Sequence, residues 1–586
     1  MGGARVSPLP PQALGLLWHQ QKYAQPGELT PADTQGRVAQ ALAQAEPLAV
    51  RQAWARRFES AMRRGLLPGG RIMAGAGAGC ALSQDQAAAP PAAPPAAPSS
   101  ARWRTSLMNC FVLPAHDLQA LWPQLRATLR AGGGVGLDLS PQPHGVLQAL
   151  DQCEAVARSL DHVPRAARRA AQMVVLRADH SEIEAFIHAP SQAYPHLTRA
   201  VALHAQEPPG LLARVAQAAW ASGEPSVLFT QRMQDDDNLG DREALWATNP
   251  CGEQPLPPYG ACALASIDLT RVVQQPFSPQ AHVAWGVLAA LAHTGVRLLD
   301  NALDISHWPL RHQQREMQRH RRIGLGITGL GDALALLNLH YAAPQARRLA
   351  AQIMRFVSHA AYRASVRLAR ERGAYPGFNA STVLQPPRFA SRLPADLRYS
   401  IRRHGLRHSH LLALAPAASI SAAFADQVST GVEPMVAPQW QRHWCDPQGQ
   451  PCSAWVQPHA YRRWMALHGL PERVGRGAGG AGPALRAPQP PNAPLVPAWA
   501  WLSSVSPEHQ LAMVAALAPH VDGAISKTVS VPQDTSPAAI EALMRSAWHQ
   551  GLKGVSVYRR GSRPEVFQAN PTESGRAACG WRGPGP

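Results

Sequence analysis

The sequence has no apolar run as long as the roughly 18 residues that a membrane-spanning helix needs, so no such helix is predicted. Its first residues, MGGARVSPLPPQ, lack the apolar core of a signal peptide, and we therefore expect a cytoplasmic protein. Cysteine is scarce: eight cysteines are scattered over 586 residues, which excludes a secreted disulfide scaffold. In a reducing compartment, cysteines with a function are catalytic, redox-cycling or metal-bound.

Acidic residues are also few. The chain has 56 Lys and Arg against 38 Asp and Glu, which gives a formal net charge of +18. This charge permits binding of nucleic acid or of small phosphorylated substrates. The sequence contains no helix-turn-helix, zinc-finger or aromatic RNA-binding motif, and its basic residues are spread along the chain. We therefore do not expect nucleic acid as the primary partner. Cys445 and Cys452 lack a second ligand pair at metal-binding spacing, so no metal site is predicted there.

The most informative segment is NPCGEQPLPPYGAC, residues 249–262. It places an amide, a thiol and a carboxylate at alternate positions, Asn249, Cys251 and Glu253, and a second thiol at Cys262. On extended backbone these three side chains would point to one side, toward one small molecule. That arrangement suits radical or acid/base chemistry. The alternative is a Pro/Gly-rich loop with a buried structural cysteine.

The order of apolar and polar residues predicts a helical start followed by an α/β core. Residues 11–70 have helical periodicity, with a helix over about 36–65 ended by Gly65. From 101 to 330 short apolar runs alternate with amphipathic stretches such as 282–303, a pattern typical of strands alternating with helices.

Two low-complexity segments interrupt this pattern. They are rich in Ala and Pro (87–100) and in Gly and Pro (475–497). Both are predicted to be insertions. The last 20 residues are polar and are predicted to form a mobile tail.

Several other motifs occur in a fixed order with the central one. They are GRIMAGAGAG (70–79), SLMNCFVLP (106–114), GGGVGLDLS (132–140), VLRADHSEIEAFIHAP (175–190), RRIGLGITGLGDAL (321–334), HSHLLALAPAASIS (408–421), STGVEP (429–434), ISKTVSVP (525–532) and GLKGVSVYRRGSRPE (551–565). Together they resemble the catalytic chain of ribonucleotide reductases, specifically the adenosylcobalamin-dependent class II, over roughly residues 65–565.

The resemblance implies a ten-stranded α/β barrel made of two five-stranded halves, with a central finger loop that carries the radical cysteine. A small helical N-terminal region would precede it. The implied domains are an N-terminal region (1–100, including the insertion 87–100), a catalytic barrel (101–565, including the insertion 475–497) and a flexible tail (566–586).

The resemblance also assigns roles to the central residues. Cys251 matches the thiyl position, Glu253 the carboxylate that accepts the 3′-hydroxyl proton, and Asn249 the amide that bonds the substrate. Cys110 and Cys262 match the pair of thiols that donates two electrons and becomes a disulfide, which requires the two to meet across the barrel. For each cysteine the alternative is a buried, inert thiol.

The substrate phosphate is expected at PAASIS, Pro416 to Ser421, where the family has a loop at a helix N-terminus. The family's usual Thr and Gly are Ala417 and Ala418 here, which leaves Ser419 and Ser421 as hydroxyls. The alternative is a simple helix cap. The predicted substrate-binding residues are Asn109, Ala417, Ala418, Ser419, Ile420 and Ser421. GGGVG (132–136) lacks the spacing of a dinucleotide-binding site and is interpreted as a strand and turn.

The radical source is predicted to be adenosylcobalamin. None of the nine tyrosines neighbours another, whereas oxygen-dependent relatives use adjacent tyrosines near the C-terminus. The Cys579-Gly580 pair is only faintly similar to a glycyl-radical motif. Cys579 is a single tail thiol where relatives have two, so we expect a thioredoxin-like or other dithiol to reduce the active site directly.

Two segments bear on regulation. Asp117 matches an effector-contacting acid at the family's dimer interface, and the alternative is a helix N-cap in AHDLQALW. The segment 159–176 departs from the family's effector loop. About 65 residues precede the first motif, which are too few for the family's activity-controlling nucleotide domain, so no overall-activity switch is expected.

The predicted protein is a homodimeric enzyme that reduces ribonucleotides, most simply diphosphates, for DNA precursor synthesis. A deoxynucleotide effector is expected, and no membrane association. The first alternative is a catalytically impaired or regulatory nucleotide-binding paralogue, and the second is a basic nucleic-acid-binding protein that uses the same scaffold.

Overall fold

The computed structural model describes residues 9–78, 105–160, 171–445, 451–470, 498–562 and 567–568. The insertions predicted at 87–100 and 475–497, most of the segment 159–176, and residues 569–586 of the predicted tail, including Cys579, lie outside these residues. At its start the predicted flexible tail instead forms a short strand, Phe567–Gln568, that pairs with Arg442 and Gln441. Among the described helices, none is both long and apolar enough to cross a membrane.

The strands form one large sheet and three small ones. They are β1 (Leu66–Pro68), β2 (Cys110–Pro114), β3 (Gly134–Asp138), β4 (Gln172–Arg177), β5 (Leu197–Leu203), β6 (Ser226–Phe229), β7 (Ala247–Thr248), β8 (Pro255–Leu256), β9 (Ala261–Asp268), β10 (Val273–Gln274), β11 (His282–Val283), β12 (Ile323–Thr328), β13 (Trp440–Cys445), β14 (Pro451–Val456), β15 (Thr528–Val531), β16 (Gly554–Arg559) and β17 (Phe567–Gln568).

Helices connect most of the strands. They are α1 (Ala13–Lys22), α2 (Pro31–Leu42), α3 (Leu48–Arg63), α4 (Gly70–Gly75), α5 (Leu118–Arg130), α6 (Val146–Arg158), α7 (Ile183–His188), α8 (Leu211–Ser222), α9 (Thr230–Asp236), α10 (Trp285–Ile305), α11 (Arg311–His320), α12 (Leu330–Leu336), α13 (Pro344–Arg372), α14 (Ala380–Val383), α15 (Ala395–His404), α16 (Ala418–Phe424), α17 (His459–Leu467), α18 (Pro507–Leu517) and α19 (Pro537–His549).

The first half of the large sheet is a run of five parallel strands, β2 to β6, in chain order. The helices α5, α6, α7 and α8 connect them in turn. Parallel strands need such crossovers, and strands covered on both faces are apolar nearly throughout, as MVVL in β4 and AVAL in β5 are.

The second half contains β9, β12, β15 and β16. β12 runs parallel to β9, and β15 parallel to β16. The ladder itself is not closed between β12 and β15, but single parallel bridges join Leu325 to Leu412 and Leu414 to Ile525. The segment 412–414 therefore occupies the position of a fifth strand. It bridges β12 to Ile525, in the segment that leads into β15, and so connects the two parts of this half.

The two halves run in opposite directions. β2 pairs antiparallel with β9, and β6 pairs antiparallel with β16. The α/β barrel of two five-stranded halves, expected from the resemblance, is thus confirmed.

The N-terminal region is helical as predicted, but its helices differ from the expectation. Instead of one helix over 36–65, α2 ends at Leu42 and α3 begins at Leu48. Pro47 explains the break, because the residue before a proline disfavours helical backbone and Glu46 is extended (φ −89°, ψ 151°). The predicted stop at Gly65 is correct, and Gly65 adopts φ +106°. Beyond it, β1 pairs with β9, so this region contributes an edge to the main sheet.

Candidate active site

The predicted finger loop is the β7–β8 hairpin, which passes through the barrel. Its paired residues are Ala247 with Leu256 and Thr248 with Pro255. Ala247 and Leu256 pack against side chains from the inner face of the first half-barrel, such as Val112 on β2. Six residues, 249–254, form the tip. The hairpin therefore replaces the packed side chains that would otherwise fill the barrel centre.

Glycine on β3 makes room for this hairpin. A Cβ atom on Gly136 would lie 1.9 Å from the carbonyl oxygen of Thr248, and one on Gly134 would lie 3.0 Å from the Pro250 ring. The GGGVG segment is thus part of a turn and strand, as interpreted from the sequence. The space that its glycines leave for the hairpin was not predicted. Glycines at alternate positions in an apolar strand indicate close backbone approach on one face, and that signal was available.

The three polar residues of the tip, Asn249, Cys251 and Glu253, do not lie on extended backbone. The extended segment considered from the sequence is therefore wrong. Asn249 to Gly252 form a turn, closed by the Gly252 N–H that donates to the Asn249 carbonyl at 3.0 Å. Pro250 favours a turn at its position, and Gly252 adopts φ +83°, which side-chain-bearing residues rarely do. Asn249 and Glu253 are buried and Cys251 is half-buried at the turn.

Cys110 and Cys262 lie directly opposite each other where β2 meets β9. Both are thiols rather than members of a disulfide. A hydrogen bond with Cys110 and complete burial raise the pKa of the Cys262 thiol well above its ordinary value. The sequence places these cysteines 152 residues apart (262 − 110), and the antiparallel junction of the two half-barrels brings them together.

Asn249 connects the hairpin tip to this thiol pair. Its Nδ2 donates to the Cys110 sulfur at 3.6 Å, and its Oδ1 accepts from the Gln254 N–H at 2.9 Å. The amide is therefore fixed at both ends, with its donor group at the dithiol. A short carboxylate or alcohol side chain at this position would not reproduce both bonds.

Glu253 has the electrostatics of a general base. Its side chain is buried, and burial raises its pKa to about 7, an effect that a hydrogen bond from Asn249 opposes. A carboxyl with a pKa near neutrality exchanges protons readily at physiological pH. Its charge also contributes to the raised pKa of Cys262, which places the carboxyl near the dithiol.

Three polar atoms of these segments are buried and have no hydrogen-bond partner within the described ranges. They are Asn109 Oδ1, Glu253 Oε2 and Gln254 Nε2. Buried polar groups are nearly always paired in native proteins, so unpaired groups near a dithiol need a ligand or solvent to satisfy them. Asn109, Cys110 and Cys251 are only half-buried, so the segments that carry them are accessible. The site can thus accept a small polar molecule.

Comparison with known proteins identifies the family. The sequence model of the family described as "Ribonucleotide reductase, barrel domain" matches residues 191–558. That is well over half of the chain. The chain belongs to this ribonucleotide reductase family.

Individual relatives agree. The chain is similar to a vitamin B12-dependent ribonucleoside-diphosphate reductase of Mycobacterium tuberculosis, with 31% identity over 512 residues, 78% of this chain and 68% of the relative. A protein of the same description from Thermoplasma acidophilum is 26% identical over 364 residues, 61% of this chain and 44% of that relative. A ribonucleoside-diphosphate reductase large chain of Neurospora crassa is 29% identical over 222 residues, 35% of this chain.

The segment expected to bind phosphate in this ribonucleotide reductase family member starts the short helix α16. Ala417 caps it with φ +55°. The two hydroxyls that the sequence offered are already bonded within the protein: Ser419 Oγ accepts from the Tyr23 hydroxyl at 2.7 Å, and Ser421 Oγ lies 3.0 Å from Thr328 Oγ1. Tyr23 belongs to the N-terminal region, and its contact with this segment was not predicted from the sequence. Phosphate binding at Ala417, Ala418, Ser419, Ile420 and Ser421 stays a prediction.

Asp117 is exposed and caps α5. Its Oδ1 accepts from the backbone N–H groups of Gln119 at 2.9 Å and Ala120 at 3.2 Å. This is the N-cap that the sequence left open as an alternative. A contact between Asp117 and an effector stays a prediction.

Gly136→Ala should displace the hairpin. The added methyl group would overlap the Thr248 carbonyl, and overpacking of this kind costs about 1–3 kcal/mol. We expect lower stability in urea unfolding together with a loss of turnover. Gly286→Ala in α10 is the matched control, since nothing lies within 4 Å of its Cβ and alanine favours helix. Wild-type stability and turnover in Gly136→Ala would show that the hairpin is not held against β3.

Proposed function

We propose that this chain is a cobalamin-dependent ribonucleotide reductase that converts ribonucleoside diphosphates to 2′-deoxyribonucleotides. The observation that carries the proposal is the position of Cys110 and Cys262, opposite each other at the junction of the half-barrels, with Cys110 hydrogen-bonded to Asn249 in the hairpin that bears Cys251. The M. tuberculosis and T. acidophilum relatives, both described as vitamin B12-dependent ribonucleoside-diphosphate reductases, support both the cofactor and the diphosphate substrate.

The hairpin tip would carry out the hydrogen and proton transfers. Cys251, as a thiyl radical, removes the hydrogen from C3′ of the ribose and becomes a thiol. Glu253 accepts the proton of the 3′-hydroxyl, a task that its pKa of about 7 suits. Asn249 orients the substrate while it holds the Cys110 thiol. Loss of the 2′-hydroxyl as water then becomes possible at C2′.

The dithiol would supply the reducing equivalents. Cys110 and Cys262 lose two hydrogen atoms in total and form one disulfide bond, while the ribonucleotide gains two hydrogens and releases its 2′-oxygen as water. Cys251 then returns its hydrogen to C3′ and is again a radical. The balance is one ribonucleotide and two thiols to one deoxyribonucleotide, one water and one disulfide.

The initiating radical must come from outside the hairpin. Cys251 would receive it from bound adenosylcobalamin, which would supply a radical through homolysis of its cobalt–carbon bond. Cys251 is half-buried whereas Asn249, Glu253 and Cys262 are buried, so it is the one of these four residues that an outside radical source can reach. Cys251 would be the residue that accepts the radical.

Further parts of the proposal concern binding partners. The substrate would meet Asn109, and its phosphates would meet the backbone N–H groups at the start of α16, because the Ser419 and Ser421 hydroxyls are already bonded. A thioredoxin-like or other dithiol would reduce the disulfide, and a deoxynucleotide effector would bind near Asp117 in a homodimer. The enzyme would act in the cytoplasm.

A single-turnover experiment tests the proposal. The reduced protein is mixed with adenosylcobalamin and a ribonucleoside diphosphate, with no reductant, and thiols are mapped by mass spectrometry. We expect about one deoxynucleotide for each disulfide between Cys110 and Cys262. Cys153 is the internal control, because complete burial raises its pKa to about 12 and it should stay a thiol. Product without this disulfide would contradict the proposed electron donors.

The same assay addresses the impaired paralogue. The relatives described as vitamin B12-dependent ribonucleoside-diphosphate reductases do not favour this alternative. Nucleotide binding without deoxynucleotide or disulfide formation would establish that alternative. DNA binding with a steep salt dependence would instead favour the nucleic-acid-binding protein.

A further inference from the structure

A single buried guanidinium connects both arms of the finger hairpin. Arg322 precedes β12 and is 2% exposed. Its Nη1 donates to the carbonyl oxygen of Pro255, on the outgoing arm β8, at 2.9 Å. Its Nη2 forms an ion pair with Glu243, which lies four residues before β7 on the incoming arm. The two arms therefore share one partner in the second half-barrel.

The surroundings fix this arginine in place. Glu243 lies beside Asp237 and His410, and the His410 Nε2 is 2.9 Å from Asp237 Oδ1. Burial lowers the pKa of His410 to about 3, so the imidazole is neutral and donates to Asp237. Arg322 then balances the charge of these carboxyls, and buried carboxyls need such a partner.

These acids and histidines are also close enough to resemble a metal site. Two groups have ligand atoms within 4.8 Å of one another, Asp237–Glu243–His410 and Glu243–Glu316–His320. Glu243 belongs to both and is already paired with Arg322, and His320 Nδ1 bonds Glu316 at 2.6 Å. The geometry is that of an ion-pair network around the guanidinium.

The hairpin depends on the surrounding barrel to fix it. Ala247 and Leu256 pack on the inner face of the barrel, and the Ala524 N–H donates to the Glu253 carbonyl at 2.8 Å. β7 and β8 are two residues long, and a short two-stranded hairpin is not stable by itself. A displacement of about 1 Å in a reacting group can lower the rate about 100-fold. Whatever fixes the two arms also fixes Cys251 at the tip.

We propose that Arg322 is a positioning residue that holds both arms of the hairpin and thereby places Cys251 for reaction. The proposal rests on the function proposed above for its effect on turnover, whereas its effect on the hairpin is independent of turnover. Lysine is the informative replacement, because it keeps the charge but a single ammonium group cannot reproduce the fork that spans Pro255 and Glu243.

The neighbouring arginine provides a matched control. Arg321 is also buried and charged, but it bonds Asp300 and Asp304 on α10 and does not contact the hairpin in the described part of the chain. Arg321→Lys and Arg322→Lys thus make the same chemical change one residue apart. Any loss of turnover that reflects general destabilisation should appear in both variants.

Two measurements test the proposal. The first is kcat and KM for ribonucleotide reduction, where Arg322→Lys should lower kcat at least about 10-fold with KM within about twofold, and Arg321→Lys should retain kcat within about threefold. The second is the alkylation rate of Cys251 by iodoacetamide, followed by mass spectrometry in the absence of cofactor and substrate. It should change several-fold in Arg322→Lys alone.

The outcomes separate the two proposals. An unchanged Cys251 alkylation rate in folded Arg322→Lys, or equal changes in both lysine variants, overturns the positioning role. An alkylation change confined to Arg322→Lys, in a protein that makes no deoxynucleotide even as wild type, supports the hold on the hairpin and rejects the reductase function. Circular dichroism establishes that each variant is folded before either measurement.

Discussion

Cys251→Ser should abolish deoxynucleotide formation entirely. A serine hydroxyl does not form a radical that exchanges hydrogen with C3′ as a thiol does, so no other group at the tip replaces it. Nucleotide affinity should stay within about tenfold, or about 1.4 kcal/mol, because the variant removes one sulfur atom from a half-buried turn and leaves Asn249 and Glu253 in place. Turnover and equilibrium nucleotide binding, measured on the same sample, separate the two effects.

The matched control is Cys153→Ser. Cys153 lies on α6 in the core outside the barrel centre, and its thiol has no contact with the hairpin within the described residues. This variant should lose some stability, because it places a hydroxyl in an apolar core, yet it should still turn over. Retained turnover in Cys251→Ser would remove Cys251 from the radical role.

Glu253→Gln should lower kcat by about 10²- to 10⁴-fold, the usual contribution of a general base. In the wild type, kcat should rise as the pH increases through about 7, because the carboxyl must be ionised to accept a proton. The variant should lose this rise. Glu243→Gln is the necessary comparison, since burial also raises the pKa of Glu243 to about 7. It should lower kcat through Arg322 but keep the part of the rise near pH 7 that comes from Glu253.

Glu253→Gln should also make the protein more stable than the wild type at alkaline pH. A carboxyl whose folded pKa lies above its ordinary 4.5 favours folding while protonated, and this contribution is lost as the pH rises toward and past 7. Between pH 5 and 8 the free energy of unfolding of Glu253→Gln should therefore rise relative to wild type by about 2–3 kcal/mol. Urea unfolding across this range measures the difference. A pH-independent difference would show that Glu253 does not titrate near neutrality.

Much of the architecture could be predicted from sequence, because motif order and the alternation of strands and helices extend over hundreds of residues. The five parallel strands β2 to β6, the hairpin with Cys251 and the pairing of Cys110 with Cys262 all agree with the expectation. Local geometry was harder. Proline at position 47 divided the N-terminal helix, and Pro250 with Gly252 turned an expected extended segment into a tight turn.

The residues that sequence reasoning missed act through distant partners. Arg322 is one of two adjacent arginines, and nothing in the local sequence tells which of them meets the hairpin and which meets α10. Tyr23 reaches Ser419 across 396 residues of sequence. Such contacts depend on where the whole barrel places β12 and α1. They therefore cannot be predicted from the periodicity and spacing of residues in the sequence.

The junction at which β2 meets β9 has a mechanical consequence. Oxidation of Cys110 and Cys262 would staple one half-barrel to the other and enclose a ring of about 150 residues (262 − 110 = 152). Constraining the unfolded chain by a ring of that size is worth up to about 5 kcal/mol in the chain-entropy description. The oxidised form would then resist unfolding more than the reduced form. The protein would therefore be most stable in the state that cannot reduce another ribonucleotide.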